Sequence, residues 1–310
     1  MSDEKFTLPA FAKINLGLRV LGRRPDGYHE ILTVFQTVTL HDRLTFEALP
    51  GGRLELVCAA ADVPADEGNL VHRAAFALRE RFGVGRGARV ELEKTIPAGG
   101  GLGGGSSDAA AALVGLTRLW GLDAGGDELA ETGARLGADV PFFLTGGTAL
   151  GTGTGTQITP LGDAPERHLL VVTPAVKVST AEAYKALNAR ALTKADRAAN
   201  LSVSRAESQI RDALRGVVRN DFEPAVSRLY PEIARAREAL AGAGARPAAL
   251  SGSGSSVFGF FESEGEAERA RASLRAEPGW RIFRCATLAR DGYAAAFGRC
   301  AAALRPARGA

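Results

Sequence analysis

At 310 residues the chain is too long for one compact core, and two domains of about 150 residues each are the natural expectation. Hydrophobic residues make up 45% and charged residues 24%, which is the balance of a globular protein and excludes wholesale disorder. The 38 basic and 35 acidic residues leave a net charge of +3, too small to indicate a nucleic-acid or a membrane partner. No apolar run approaches the ~20 residues that a transmembrane helix needs.

The cysteines and histidines are few and widely spaced. Cys58, Cys285 and Cys300 form neither a disulfide framework nor a CxxC pair, and the four histidines lack the spacing of zinc ligands. The first residues contain no hydrophobic stretch typical of a secretory signal. We therefore expect a protein of the reducing cytoplasm.

In chain order, the first half alternates strands with amphipathic helices. Period-2 alternation predicts strands, and apolar residues at helical spacing predict helices. The strands are expected at 16–21, 32–40, 53–58 and 88–94, and the helices at 69–82, 107–119 and 127–136. A turn at 24–27 separates the first two strands, and Asn69 is a candidate N-cap for the first helix.

A polar turn near residue 161 marks the predicted start of a second domain, which divides the chain into 1–160 and 161–310. Its expected elements are strands at 168–172 and 257–261, helices at 233–241 and 264–276, and a glycine–serine loop at 251–256. The alanine- and arginine-rich stretch 186–217 predicts mobile helices with little chemistry. Strands and helices mix without strict βα alternation, so the predicted fold class is α+β.

The stretch 97–108 carries the strongest chemical signal. Six glycines occupy the seven positions 99–105, just before a good helix. So many glycines impose a large ordering entropy, which something must offset. A phosphate cradle does so, because successive backbone N–H groups and the positive end of the following helix converge on an anion. Ser106 and Ser107 would then place hydroxyls near a phosphate oxygen or a bound Mg²⁺.

Two other interpretations of this stretch remain open from the residues alone. It could be a flexible linker or a tight turn between a strand and a helix. Gly99, Gly101 and Gly104 also satisfy GxGxxG, with Asp123 about twenty residues further on, as in a dinucleotide-binding fold. The preceding strand alternates polar and apolar residues, however, where that fold needs a buried parallel strand. No GxxxxGK[ST] is present, so the loop is not a Walker loop.

The string 97–108 resembles the second motif of the GHMP small-molecule kinases. Segments 10–20, 24–30, 137–143 and 220–223 extend the resemblance over most of the chain, thinly between 186 and 217. It implies an N-terminal ATP-binding domain and a ferredoxin-like C-terminal domain with the active site between them. It also implies ATP as phosphoryl donor, with Mg²⁺ held mainly by the ATP phosphates and Ser106 as a candidate ligand.

Within that family, the segment 24–30 most resembles the branch that phosphorylates the 2-hydroxyl of 4-diphosphocytidyl-2-C-methyl-D-erythritol. The resemblance implies that Asp139 is the catalytic base or orients the accepting hydroxyl, and that Lys13 lies beside it. Without the resemblance, Asp139 is typical of an Asx-turn and Lys13 of a solvated strand edge. On a strand, Lys13 and Asn15 project to the same face.

The resemblance also implies the two binding sites. Tyr28 would stack on the cytosine and His29 would read its edge, with Phe35 and Tyr184 as further wall residues. The full implied substrate set is Asn15, Tyr28, His29, Phe35, Thr180 and Tyr184. The implied ATP set is Asn69, Lys94, Pro97, Ala98, Gly99, Gly100, Gly101, Leu102, Gly103, Gly104, Gly105, Ser106 and Ser107, with Gly252 and Gly254 in a third glycine motif that closes over the site.

Other functions are compatible with this scaffold. One is a GHMP kinase of the mevalonate or homoserine type, and another is a non-catalytic nucleotide-binding protein. The second would be expected to lose Asp139 or Lys13, and both are present. A nucleic-acid-binding module lacks its basic stripe here. We expect a small-molecule substrate with a cytidine diphosphate group, no nucleic-acid or membrane partner, and a monomer or homodimer.

Overall fold

A computed structural model of the chain describes residues 5–193, 208, 212, 217–275 and 277–305. The helices predicted between 186 and 217 therefore lie mostly outside the described residues. Within these ranges, no helix is both long and apolar enough to cross a bilayer. The described chain forms two β-sheets with helices packed against them, which is the predicted α+β class.

The first sheet has six strands in the order β3-β4-β2-β5-β6, with β1 paired to β2. The strands are β1 (Phe6–Arg23), β2 (His29–Leu49), β3 (Leu54–Cys58), β4 (Gly87–Glu93), β5 (Thr148–Thr152) and β6 (Gln157–Pro160). The predicted segments 16–21 and 32–40 are only the middle parts of β1 and β2, which form one long antiparallel hairpin. β4 runs antiparallel to β2 as expected, and its other edge pairs with β3 in parallel.

Helices cover the inner face of this sheet. They are α1 (Leu70–Phe82), α2 (Gly104–Trp120), α3 (Gly126–Leu136) and the short α4 (Val140–Phe143). The predicted cap of α1 is confirmed, because Asn69 Oδ1 accepts a hydrogen bond of 2.9 Å from the backbone N–H of Val71. α2 begins at Gly104, three residues before the predicted start, so the last glycines of the run are already helical.

α2 is the central helix of the first core, buried on nearly every side. Its small residues 109–112 let it approach the sheet closely. Gly115 is the closest point of this contact, since a Cβ placed there would overlap the ring of Phe46. The helix therefore depends on the absence of a side chain at this one position.

The second sheet has the strand order β10-β7-β9-β8 and is antiparallel throughout. Its elements are β7 (His168–Thr173), α5 (Thr180–Leu187), α6 (Glu223–Leu229), α7 (Pro231–Gly242), β8 (Ala248–Leu250), β9 (Val257–Phe261), α8 (Glu264–Leu274) and β10 (Arg281–Ala286). When the four strands are numbered in chain order within this sheet, they lie side by side in the order 4-1-3-2. This is the strand order of a ferredoxin-like domain, as the resemblance implied.

The end of the described chain returns to the first sheet. Helix α9 (Arg290–Ala296) and a 3₁₀ turn at Gly298–Ala303 contribute Tyr293 and Phe297 to the core that contains α2. The chain thus enters the second sheet from the first one, after β6, and returns to the first one after β10. The division near residue 161 stays a prediction.

Replacing Gly115 by alanine tests the contact between α2 and the sheet. Alanine is the better helix former, so propensity alone predicts stabilisation. We expect destabilisation of about 1–3 kcal/mol instead, because the new methyl group must displace the Phe46 ring in a fully packed core. Urea unfolding followed by circular dichroism measures it. Gly265→Ala in α8 is the matched control, since the nearest atom is the end of the Arg269 side chain at 3.5 Å; equal effects of the two changes would contradict the prediction.

Candidate active site

Two cavities meet where the two sheets approach each other. The smaller, of about 360 Å³, lies over the glycine run and the start of α2. The larger, of about 1130 Å³, extends from there toward α5. Gly101, Gly103 and Ser106 line both cavities, so a group bound at the end of one reaches the start of the other.

The smaller cavity collects nearly all residues that the sequence assigned to ATP. Its walls include Asn69, Lys94, Pro97, Ala98, Gly99, Gly100, Gly101, Leu102, Gly103, Gly104, Gly105 and Ser106. Ser107 is the exception, and the structure corrects its placement. It is 1% exposed, its hydroxyl points into the protein, and its backbone N–H donates to the carbonyl of Gly103. Because α2 starts earlier than predicted, Ser107 is already inside the helix.

The floor of this cavity suits an anion. The first N–H groups of an α-helix have no partner within the helix, and here they belong to residues without bulky side chains. The helix dipole adds partial positive charge at the same place. Among the described residues, no group of three or more His, Cys, Asp and Glu side chains is arranged to hold a metal ion.

The glycine run is held from the other sheet by the loop 251–256. The N–H of Ser256 donates to the carbonyl of Gly100 at 3.0 Å, and the hydroxyl of Ser251 donates to that of Gly101 at 3.0 Å. Gly254 packs directly on the backbone of Gly101, so a Cβ on either residue would overlap the other loop. Gly252 lines the larger cavity, whereas Gly254 lines neither and serves this close approach.

Lys13 and Asp139 lie at the junction, on the side of the larger cavity. Lys13 is 3% exposed, and its Nζ lies 3.7 Å from Asp139 Oδ2. Burial lowers the pKa of Lys13, and the charge of Asp139 opposes that shift. Asp139 stands at the N-cap of α4 but its side chain makes no capping hydrogen bond, so the carboxylate is directed to the lysine. The alternative of an Asx-turn aspartate does not describe this geometry.

Strand β1 places Lys13 and Asn15 on one face, as its pattern predicted. Lys13 Nζ donates to Asn15 Oδ1 at 2.8 Å, and Asn15 Nδ2 donates to Thr33 Oγ1 at 2.7 Å. The pairing with β2 is irregular on both sides of this pair, between residues 11 and 13 and between 15 and 17. The backbone N–H of Lys13 donates to the carbonyl oxygen of Leu102 at 3.0 Å, and this bond joins β1 to the glycine run.

The far end of the larger cavity is aromatic. The rings of His29 and Tyr184 stack with centroids 4.4 Å apart, and Tyr184 meets Phe222 edge-on at 4.8 Å. Tyr28 is 67% exposed beside them. Desolvation and the charge of Arg23 lower the pKa of His29. Burial raises the pKa of Tyr184 to about 12, and the negative charge of Asp139 adds to the shift.

The remaining predicted substrate residues also line the larger cavity. Phe35 is 1% exposed and packs on Phe142, with Lys13 Nζ 5.4 Å from its ring centre, so it belongs both to the core and to the wall. Thr180 begins α5 and lies 3.4 Å from the hydroxyl of Ser253. The structure brings the whole predicted set of six into one cavity.

Several cavity residues carry no local signal in the sequence. They come from loops and strands far apart in the chain: Asp26, Thr33, Arg135, Thr154, Thr156, Phe222 and Ser253. Asp26, Phe222 and Ser253 lie within the segments 24–30, 220–223 and 251–256, but the sequence analysis assigned them no role of their own. The others could be found only from a family alignment or a structure.

Lys94, part of the implied ATP set, lines the smaller cavity. Its Nζ forms ion pairs with two buried carboxylates, those of Asp42 and Asp108. The distance to Asp108 Oδ2 is 2.7 Å. Asp42 also accepts a hydrogen bond of 2.8 Å from the N–H of Ile96 and another from that of Thr95. Asp108 Oδ1 has no hydrogen-bond partner within the described part of the chain. Lys94 therefore supports the cavity wall from beneath, and its charge is already compensated.

The cluster of Asp42, Lys94 and Asp108 holds two carboxylates against one ammonium. Burial raises the pKa of Asp108 to about 7, with the charge of Lys94 lowering it and that of Asp42 raising it. An unfolded aspartate titrates near 3.8. Between these values the native state holds a proton that the unfolded state has lost, so this group makes stability fall as the pH rises from 3.8 to about 7 and adds no further change at higher pH.

Asp108→Asn removes that titration. We expect the wild type to lose more stability between pH 5 and pH 8 than the variant, by on the order of 1 kcal/mol or more. Urea unfolding of both proteins at the two pH values measures the difference of slopes, from which the other titrating groups cancel. Asp42→Asn is the control. It should destabilise at both pH values, because the N–H groups of Thr95 and Ile96 lose a carboxylate partner. Parallel slopes for wild type and Asp108→Asn would refute the assignment.

Comparison with known proteins identifies the scaffold. The family model described as the GHMP kinases N terminal domain matches residues 69–147, and the one described as GHMP kinases C terminal matches residues 183–279. A crystal structure of 4-(cytidine 5'-diphospho)-2C-methyl-D-erythritol kinase superposes with a TM-score of 0.76 at 37% identity, covering 91% of this chain and 99% of that one. A crystal structure of L. major mevalonate kinase with R-mevalonate shares the fold, with a TM-score of 0.68 at 15% identity over 92% of this chain and 96% of its own.

Curated relatives match over nearly their whole length. A protein of Prosthecochloris aestuarii named 4-diphosphocytidyl-2-C-methyl-D-erythritol kinase is 42% identical over 88% of this chain and 95% of its own length. A protein of Pseudomonas entomophila with the same name is 44% identical over 87% of this chain and 89% of its own length. Sequence, fold and the two glycine motifs agree, and the chain belongs to the GHMP kinase family.

Proposed function

We propose that this chain transfers the γ-phosphoryl group of ATP to the 2-hydroxyl of 4-diphosphocytidyl-2-C-methyl-D-erythritol. The observation that carries the proposal is the junction of the two cavities, where the Lys13–Asp139 pair lies between a phosphate-binding floor and an aromatic wall. Relatives at 40–44% identity over most of the chain bear the name of this activity.

Phosphoryl transfer depends mainly on positioning and on charge stabilisation. Asp139, 30% exposed at the junction, receives or orients the proton of the accepting hydroxyl. Lys13 holds that carboxylate in place and brings positive charge to the phosphoryl group in transit. Asn15 fixes the lysine by its 2.8 Å hydrogen bond and is itself fixed by Thr33.

The smaller cavity fits the donor nucleotide. Its floor offers backbone N–H groups and a helix N-terminus. A Cβ at Gly100, Gly101, Gly103 or Gly104 would overlap neighbouring protein atoms, so glycine is what lets this run pack closely against them. Mg²⁺ carried by the ATP phosphates would neutralise part of their charge, and the hydroxyl of Ser106, which lines both cavities, would be its candidate protein ligand. Asn69 lines the same cavity while capping α1.

The aromatic end of the larger cavity favours a base-bearing acceptor over mevalonate or homoserine, which have no ring to stack. Tyr28 supplies an exposed face, and His29 and Tyr184 already form a stack. A lowered pKa keeps the His29 ring neutral at pH 7, so it can both donate and accept hydrogen bonds at a pyrimidine edge.

The proposal extends to the organisation of the chain. Residues 1–160 would form the ATP-binding domain and 161–310 the C-terminal domain that completes the acceptor site. The enzyme would work in the cytoplasm as a monomer or homodimer.

The direct test is turnover of the purified chain with ATP and one acceptor at a time. The acceptors are 4-diphosphocytidyl-2-C-methyl-D-erythritol, mevalonate, homoserine and none, with products identified by ³¹P NMR. We expect phosphorylation of the first alone. Asp139→Asn should lower kcat by ~10²-fold or more while ATP affinity changes little, because the carboxylate lies on the acceptor side of the junction.

Lys13→Met extends this test, since it keeps the length of the side chain but removes the charge next to Asp139. It should also lower kcat strongly. ATP that binds without any acceptor being phosphorylated would reduce the proposal to a nucleotide-binding protein. Phosphorylation of mevalonate would keep the scaffold and reject the roles of Tyr28 and His29.

Gly101→Ala tests whether the two loops together shape the ATP site. The residue has φ +77°, and a Cβ would overlap the carbonyl oxygen of Ser251. We expect ATP affinity to fall by about 10-fold or more, because the loops must separate to admit the methyl group. Gly105→Ala is the matched control, since only Leu70 Cδ1 lies near its Cβ position, at 3.7 Å. Titration with ATP measures both, and equal losses would contradict the idea.

A further inference from the structure

Four charged side chains line the larger cavity: Lys13, Asp26, Arg135 and Asp139. Three of them are compensated within the protein. Lys13 pairs with Asp139 at 3.7 Å, and Asp26 pairs with Arg24 at 3.0 Å. Arg135 makes no ion pair or hydrogen bond with any residue in the described ranges. It is thus a cation in the cavity wall whose charge nothing in this part of the protein offsets.

The position of Arg135 in the fold brings it close to the junction. It lies in the last turn of α3, two residues before Gly137. The Cβ position of Gly137 would lie 3.5 Å from Ser106 Oγ, a group shared by both cavities. The same short segment, 134–139, carries Asp139 at its other end. The arginine therefore stands on the rim beside the place where the two ligands meet.

The ligands of the proposed reaction bring more negative charge than the cavity can otherwise balance. A nucleoside diphosphate ester carries two negative charges, and the γ-phosphate of ATP carries more. Lys13 already shares its charge with Asp139, and the smaller cavity offers only backbone dipoles because Lys94 is compensated by two carboxylates. An exposed arginine, with its forked donors, is the side chain best suited to such an oxyanion.

We propose that Arg135 is a phosphate-binding residue of the larger cavity, and this rests on the proposed kinase function. Its guanidinium binds a phosphate group at the junction, either in the diphosphate of the acceptor or in the γ-position of ATP. In either position the guanidinium would bind phosphate oxygens. The two positions differ in which ligand loses affinity when the arginine is removed.

A purely structural role makes a different prediction. Arg135 lies in the last turn of α3, where a cation interacts favourably with the helix dipole. Arg228 occupies the corresponding turn of α6, is also exposed, and lines neither cavity. Arg228→Ala is therefore the matched control, because it removes the same charge from the same kind of helix end.

The experiment compares two ligand pairs that differ by phosphate groups: CDP with cytidine, and ATP with ADP. Calorimetric titration gives the four affinities for wild type, Arg135→Ala, Arg135→Lys and Arg228→Ala. We expect Arg135→Ala to weaken the more highly phosphorylated member of at least one pair by about 10-fold and the other member by less than about 2-fold. Arg135→Lys should restore part of the loss, and Arg228→Ala should change nothing.

A change in the CDP-to-cytidine ratio assigns Arg135 to the acceptor, and a change in the ATP-to-ADP ratio assigns it to the donor. Unchanged ratios in both pairs overturn the proposal, including the case in which all four affinities fall together. Binding needs no turnover, so a wild type that binds these ligands but phosphorylates no acceptor would reject the kinase function and leave the answer for Arg135 standing. A wild type that binds none of the four would reject both.

Discussion

The close approach of two glycine-rich loops, one from each sheet, is the constraint on which the site depends. Backbone meets backbone at Gly101 and Gly254, and the carbonyls of Gly100 and Gly101 accept hydrogen bonds from the loop 251–256. Ordering six glycines in seven positions is entropically costly, and these bonds offset part of that cost before any ligand arrives. The backbone N–H of Lys13 adds a third attachment at Leu102. The backbone of the glycine run is therefore held in place by the other sheet and by β1.

Two buried lysines near this floor behave in opposite ways, and the number of carboxylates around each explains the difference. Lys94 touches two, and its pKa is raised in spite of burial. Lys13 has one carboxylate at 3.7 Å, and its pKa is lowered because desolvation outweighs that single attraction. The pairing of Lys94 with two carboxylates fixes the wall of the smaller cavity. The pairing of Lys13 with a single carboxylate leaves a cation that gains from any further negative charge brought next to it, which suits a group that must stabilise a phosphoryl group.

Local sequence patterns predicted the features that depend on neighbouring residues. The cap at Asn69, the α+β class, and the shared face of Lys13 and Asn15 all follow from short-range spacing. The lengths of β1 and β2 did not, because irregular pairing near residues 12, 16 and 21 interrupts the alternation that defines a strand in sequence. α2 begins among glycines, against their helix propensity, because tertiary packing holds its first turn.

The site was predictable only as far as the family motifs reach. The resemblance supplied a residue set that the structure gathers into two cavities, while the roles of those residues stay predictions. It missed the pairing of Lys94 with Asp42 and Asp108, since residues far apart in sequence meet there through the fold. It also misplaced Ser107, because a helix start shifted by three residues turns a side chain from the cavity into the core.

The two cavities offer different groups to an anion. The difference follows from where a charged side chain can be buried. The smaller cavity uses backbone dipoles, which cost no desolvated charge when it is empty, and its one lysine is offset by carboxylates beneath the floor. The larger cavity is open enough to keep an arginine solvated at its rim until a ligand arrives. A buried cation without a partner costs free energy, so the pairing with Asp139 offsets part of the cost of burying Lys13. Lys13 and Asp139 thus compensate each other's charge at the junction while both still line the larger cavity.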